Sequence, residues 1–193
     1  MGTWITFNVG NNQELLRQRT RVLRAFFEHG GGMIDSSPMY GSAEASLGHC
    51  LKQLNYPDGL FSATKVWTSS TADGRRQVEQ SKELWGVSTL DLEQVHNLVN
   101  WRDHLKTLRG LKEGGTIRYT GVTTSHGRRH GELARILRSE PLDFVQLTYN
   151  LANRETEDLI ALARDKGIAV IANRPYGGGR LIDRMQREIL PRW

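Results

Sequence analysis

Met33-Ile34-Asp35-Ser36-Ser37-Pro38-Met39-Tyr40-Gly41-Ser42-Ala43-Glu44 reads as a strand, a turn and the start of a helix. Met33 and Ile34 open a short apolar run that ends on the Asp35 carboxylate, and Pro38 and Gly41 mark the turn. The helix predicted over 44–54 then carries Leu47, Cys50, Leu51 and Leu54 on one side. The same unit recurs outward in both directions. Strands are predicted over 33–36, 60–66, 90–96, 118–123, 144–149 and 168–173. Helices are predicted over 11–29, 44–54, 73–85, 102–113, 129–138, 155–166 and 181–189. Residues 2–7 read as the tail of one more strand, with Trp4 and Ile5 inside it, which brings the expected total to seven. Strict alternation of this kind predicts an α/β fold with a parallel sheet covered by helices. Continuous apolar runs such as Ala169-Val170-Ile171-Ala172 predict strands covered on both faces.

Two parallel architectures compete for this pattern. A doubly wound nucleotide fold opens with G-x-G-x-x-G after its first strand, and that fingerprint is absent. Gly30-Gly31-Gly32 precedes a strand and reads as a helix-to-strand loop. A (β/α)8 TIM-type barrel instead places its chemistry at the C-terminal ends of its strands. Here Asp35, Lys65, His96, Thr123, Gln146 and Asn173 end successive runs, spaced 30, 31, 27, 23 and 27 residues apart. That spacing suits one βα repeat, so the expectation is a single barrel domain over 1–193. Eight such repeats need roughly 220 residues and typical barrels run to about 250. The expected barrel is therefore incomplete, lacking its eighth strand and helix. Open barrel edges would offer a route to self-association.

Composition narrows the class of partner. The chain has 26 Lys+Arg against 21 Asp+Glu, a net charge of +5 that is scattered rather than clustered. Nucleic acid is not the expected partner, and the excess equally suits a phosphorylated small ligand. One cysteine, Cys50, excludes a disulfide framework and a multi-cysteine zinc site. No apolar run approaches the roughly 18 residues of a membrane span, so no membrane partner is expected. The start Met1-Gly2-Thr3-Trp4 has no basic region or long apolar stretch of a signal peptide. The expected location is cytoplasmic, or exported if a leader is missing.

Asp35, Tyr40, Lys65 and His96 form the constellation that carries chemistry. Together they resemble the active-site set of the aldo-keto reductases, barrel enzymes that reduce carbonyls with a nicotinamide cofactor. The resemblance rests on Asp35, Tyr40, Gly41 and Glu44 with a later Lys65 and His96, and on Gly2-Thr3-Trp4. It runs over nearly the whole chain, looks most like a bacterial subgroup, and implies truncation before the last barrel strand. It implies an NAD(P)H-dependent oxidoreductase that reduces aldehydes or ketones, with Tyr40 as the general acid. A tyrosine ordinarily has a pKa of about 10 and is a poor acid at neutral pH. A lysine ammonium beside it favours the phenolate. Asp35 would hold Lys65, and His96 would point a ring N–H at the carbonyl oxygen.

The resemblance also implies cofactor-binding positions for NADP(H), with NAD(H) as the alternative. These are Thr3, Thr123, Thr124, Gln146, Asn173, Arg174, Pro175, Tyr176 and Gly177. Gln146 matches the family residue that hydrogen-bonds the nicotinamide carboxamide. Thr123-Thr124 stand where relatives carry Ser-Asn, and Asn173 where many carry a stacking aromatic. Gly177-Gly178-Gly179 would let backbone N–H groups approach a pyrophosphate. Trp4, Trp67 and Trp101 are the candidate walls of a pocket for a small carbonyl substrate. His126 and His130 have metal-like spacing, but Arg128 and Arg129 lie between them, so no metal site is assigned. The rival function is a barrel that binds nucleotide or a partner without turnover, or an inactive fragment of a longer reductase.

Overall fold

The computed structural model describes residues 1–125 and 127–187. Its helices are α1 (Gln13–Glu28), α2 (Ala43–Gln53), α3 (Thr71–Trp85), α4 (Trp101–Glu113), α5 (His130–Ser139), α6 (Glu157–Asp165) and α7 (Arg180–Arg187). Its strands are β1 (Met33–Asp35), β2 (Phe61–Val66), β3 (Leu90–Val95), β4 (Ile117–Thr123), β5 (Phe144–Thr148) and β6 (Ala169–Asn173). The last two residues of the helix predicted over 181–189 lie outside the described residues. The chain forms two compact units, Met1–Thr120 and Gly121–Trp193. Among the described residues, no helix is long and apolar enough to cross a membrane.

Within the first unit β1 pairs parallel with β2, from Met33↔Phe61 to Asp35↔Ala63. There β2 pairs parallel with β3, from Ala63↔Leu92 to Val66↔Val95. Within the second unit the end of β4 pairs parallel with β5 in the register Thr123↔Gln146, and β5 pairs parallel with β6. Parallel partners in register project their side chains to the same face. Thr64 and Glu93 therefore share one face, and Lys65 and Gln94 share the other.

Local chemistry explains the element boundaries. Asn12 caps α1 by accepting the Leu15 N–H at 3.0 Å. Leu16 and Leu23 on its inner face join Phe7, Ile34, Leu47 and Trp85 in the core, each worth roughly 1.5–3 kcal/mol of burial. The cap of α3 is Ser70, which accepts the Asp73 N–H at 3.3 Å. The same helix stops at Gly86, whose φ of 73° suits a left-handed cap.

Two expectations need correction. The described residues hold six strands rather than seven, because 2–7 is not a strand. Gly2 makes a single parallel bridge to Asp35, and the Thr3 N–H donates to the Asp35 carbonyl at 3.0 Å. The chain then turns, with Ile5 at φ 66° and the Phe7 N–H closing on the Thr3 carbonyl at 3.0 Å. The turn drives Phe7 into the core and leaves Trp4 and Ile5 outside, 55% and 67% exposed. The second correction concerns β6. Ala169 and Ala172 are exposed, while Val170 and Ile171 are half-buried, so this apolar run is not covered on both faces. By contrast every residue of β3 is buried.

Gly48 lets α2 and α3 approach closely. A Cβ built there would lie 1.8 Å from the Leu84 carbonyl oxygen, so a side chain must push the two helices apart. Gly48→Ala is expected to cost about 1–3 kcal/mol of folding free energy. Urea unfolding followed by circular dichroism would show it as a lowered midpoint, and an unchanged midpoint would refute the close packing.

Candidate active site

Three successive strand–helix units of the first compact unit supply the four candidate catalytic side chains. Asp35 ends β1, Lys65 lies near the end of β2, and His96 follows β3. Tyr40 closes the one-turn 3-10 helix Pro38–Tyr40. That turn is capped by Ser37, whose Oγ accepts the Met39 N–H at 3.3 Å, and has Pro38 at its start, where a missing N–H costs nothing.

The structure brings all four together. Lys65 Nζ donates to Asp35 Oδ2 at 2.7 Å and to the Ser36 carbonyl at 2.5 Å. The Lys65 side chain is 1% exposed and that of Asp35 14%. The same ammonium sits 5.2 Å from the centre of the Tyr40 ring. The His96 ring meets Tyr40 edge-on, 5.9 Å between centroids at 88°. His96 Nδ1 shares a hydrogen bond of 2.9 Å with Ser37 Oγ. Burial, and secondarily the Lys65 charge, push His96 down to about 3, so its imidazole is neutral at pH 7.

Of the candidate substrate walls, Trp4 lies 6.5 Å from Tyr40, ring centre to ring centre. Trp67 follows β2 and is 43% exposed; its backbone is clasped by Gln77, whose Oε1 accepts the Trp67 N–H at 2.8 Å. Trp101 opens α4 and carries the Arg102 guanidinium 4.3 Å above its ring. Thr3 is fully buried and its hydroxyl donates to Ser36 Oγ at 2.9 Å. That makes it a brace beneath Asp35 and Ser36.

The other cofactor candidates belong to the second unit. Thr123, Thr124 and Gln146 are buried at the ends of β4 and within β5. The Thr124 N–H donates to the Gln146 carbonyl at 2.9 Å, while Thr124 Oγ1 is buried with no partner among the described residues. Asn173 ends β6, and Arg174 follows at φ 52°. The Arg174 carbonyl accepts from Asn150 at 3.0 Å, and its guanidinium donates to the Ser125 carbonyl at 3.3 Å. Pro175 leads into Tyr176, which is 62% exposed, and Gly177 starts a short turn. Gly178 and Gly179 sit at φ 71° and 96° under open space. An orphaned hydroxyl and an uncovered glycine cradle fit a polar ligand such as a nucleotide.

His126 lies outside the described residues. Among the described residues, no three His, Cys, Asp or Glu side chains gather as a metal site.

Sequence reasoning missed several supporting roles, including that of Glu44, which it noted only as part of a motif. Gln94 Nε2 donates to Asp35 Oδ1 at 3.2 Å and orients the carboxylate toward Lys65. Ser37 orients His96. Glu44 is buried and accepts from Thr64 Oγ1 at 2.7 Å, Ser81 Oγ at 3.1 Å and Trp85 Nε1 at 2.9 Å, tying α2 to β2 and α3. Glu93 is fully buried, and neither carboxyl oxygen has a partner among the described residues. Burial, then the Glu44 charge, push its carboxyl well above the ordinary range. The signal was Glu93-Gln94 itself, two polar residues inside a strand bounded by Leu and Val.

Residues 1–192 match the aldo/keto reductase family, and the chain belongs to it. A curated aldo-keto reductase from Gibberella moniliformis is 28% identical over 93% of this chain and 58% of its own. An aldo-keto reductase from Strobilurus tenacellus is 28% identical over 85% of this chain and 52% of its own. The chain thus spans little more than half the length of these curated relatives. Among solved structures, an aldo/keto reductase from Klebsiella pneumoniae in complex with NADP and acetate superposes with a TM-score of 0.79. It is 27% identical over 97% of this chain and 68% of its own. A glycerol dehydrogenase from Gluconobacter oxydans gives a TM-score of 0.80 at 25% identity, over 100% of this chain and 64% of its own. The six-stranded α/β fold is therefore that of part of the family's structures.

Two buried groups make stability depend on pH in opposite directions. The unfolded state takes up a proton at His96 near pH 6.5, while the folded state resists until about 3. Stability from His96 is full above the unfolded value and is lost as pH falls. Between pH 7 and pH 5 the loss is about 2 kcal/mol. His96→Asn is expected to flatten the urea midpoint against pH over that window, and an unchanged slope would mean the imidazole is solvated. Glu93 acts the other way, because the unfolded state releases its proton first as pH rises. Glu93→Met is expected to raise the urea midpoint at pH 7, and a lowered midpoint would show that the carboxyl has a stabilising partner.

Proposed function

We propose that the chain carries the catalytic machinery of an NADP(H)-dependent reductase of small aldehydes or ketones, within a single reductase domain. The observation that carries this reading is the Lys65 ammonium, 1% exposed, held by Asp35 at 2.7 Å and lying 5.2 Å from the Tyr40 ring centre. A bound nicotinamide cofactor supplies the hydride that reduces the carbonyl carbon. Negative charge then builds on the carbonyl oxygen, and Tyr40 gives that oxygen its phenolic proton. The phenolate left behind is stabilised by the Lys65 ammonium, in a site where low water content strengthens the attraction. Asp35 fixes the ammonium, and Gln94 fixes Asp35. With the Ser37 hydroxyl donating to Nδ1, neutral His96 carries its proton on Nε2 and presents it to the carbonyl oxygen as a hydrogen-bond donor. Trp4 walls the substrate side of Tyr40.

On the cofactor side, Gln146 and Thr123-Thr124 are suited to hold polar groups of the nicotinamide half. The Gly177–Gly179 backbone and Arg174 are suited to approach phosphate. The Klebsiella relative that holds NADP supports NADP(H) over NAD(H).

Two measurements on the 193-residue chain test the reading. Saturating NADPH is expected to raise the midpoint of a cooperative thermal melt. Tyr40→Phe is expected to lower NADPH-dependent aldehyde reduction by about 10²–10⁴-fold while keeping the NADPH-induced shift. Reduction at the parental rate by Tyr40→Phe would overturn the assignment of the proton donor. A melt shift without turnover in the parent would leave a nucleotide-binding protein instead.

A further inference from the structure

We propose that the groove between α1 and α2 is a second binding site, for a small soluble anion carrying two or more phosphoryl groups. This goes beyond the reductase reading, uses none of the four candidate catalytic residues, and lies wholly in the first compact unit.

The groove has a volume of about 640 Å³ and is lined by Arg17, Arg21, Arg24 and Thr20 of α1 and by His49 and Gln53 of α2, with Gln13 and Glu14 at one end. Arg17, Arg21 and Arg24 recur at helical spacing, so they form a row along one face of α1. Seven residues at 1.5 Å per residue spread the row over about 10 Å, a length that several linked phosphoryl groups can span and a single phosphate cannot. The charge balance favours an anion. Glu14 is the only acid lining the groove, and it is engaged by Arg17 at 2.6 Å and by Gln18 at 3.2 Å. Arg21 and Arg24 are exposed, and among the described residues neither guanidinium donates a hydrogen bond to a protein acceptor.

The neighbouring basic residue is spent differently. Arg19, on another face of α1, donates to the Thr6 carbonyl at 2.5 Å and pins the N-terminal turn. Within the row Arg17 is paired with Glu14, which leaves Arg21 and Arg24 without such a task. Guanidinium groups bind phosphoryl oxygens through paired, planar N–H donors. Thr20 spends its hydroxyl proton on the Leu16 carbonyl at 2.9 Å. Gln53 and His49, from the facing helix, add polar atoms on the opposite wall.

The test uses inorganic tripolyphosphate as the probe, titrated calorimetrically into the 193-residue chain. One-to-one saturable binding that weakens with added NaCl is expected. The double variant Arg21→Ala/Arg24→Ala is expected to bind at least tenfold more weakly while keeping the parental circular dichroism spectrum, since both side chains are exposed. A charge-matched control, Arg75→Ala/Lys106→Ala, removes two cations from the separate groove between α3 and α4 and is expected to bind like the parent. Equal weakening in both double variants would mean that tripolyphosphate reads only net charge, and the site would be lost. Parental affinity in Arg21→Ala/Arg24→Ala would place the anion elsewhere and equally overturn the assignment. Binding of inorganic phosphate as tightly as tripolyphosphate would remove the case for a multiply phosphorylated ligand. None of these outcomes depends on whether the chain reduces carbonyls.

Discussion

The Lys65 ammonium lies 1% exposed against the Asp35 carboxylate at 2.7 Å and the Ser36 carbonyl at 2.5 Å, so its charge has been taken out of water. Such a transfer costs several kcal/mol per ion and is recovered only through close, well-directed partners. The surrounding structure meets that condition. Gln94 braces the second oxygen of Asp35, Thr3 braces Ser36 and the Asp35 carbonyl, and parallel pairing of β1, β2 and β3 sets the spacing of all of them. The turn at Ile5 follows from the same constraint. Gly2 and Thr3 must lie along β1 to supply these braces, and the chain must then leave for Phe7 to reach the core.

On the opposite face of β2 and β3 the chemistry differs. Thr64 and Glu93 point toward the helix layer, where Glu44 gathers donors from Thr64, Ser81 and Trp85. These bonds fix α2 against α3, and Gly48 permits the approach. Glu44 has three donors, whereas Glu93 has none among the described residues and its burial drives it toward the neutral form. A buried carboxyl without partners weakens the fold at neutral pH.

Much of this was legible in the sequence. The helix predicted over 11–29 matches α1 to within two residues at each end. The polar residues ending successive apolar runs located Asp35, Lys65 and His96 at neighbouring strand ends. What escaped was governed by contacts rather than patterns. Trp4 and Ile5 read as strand interior because hydrophobicity does not report a turn. The run at 169–172 reads as fully covered, yet β6 keeps Ala169 and Ala172 exposed, because coverage depends on what packs against a strand. Gln94 and Ser37 escaped because a supporting hydrogen bond leaves no periodic trace. Glu44 was seen as part of a motif, but its three donors come from positions 20, 37 and 41 residues away.

The two compact units divide the candidate residues by position. All four catalytic candidates, with the groups that brace them, come from three consecutive strand–helix units of Met1–Thr120. All the cofactor candidates except Thr3 come from Gly121–Trp193. Electrostatic preorganisation requires fixed groups shielded from water, and Lys65, Gln94 and His96 are buried. Capturing a diffusing ligand requires polar groups that a solute can reach. Tyr176 is exposed, and the backbone at Gly178 and Gly179 lies under open space. The rigid charge is built where strands pair in register, and the accessible backbone lies in the turn beyond β6. The geometry around Lys65 depends on the pairing of β1, β2 and β3.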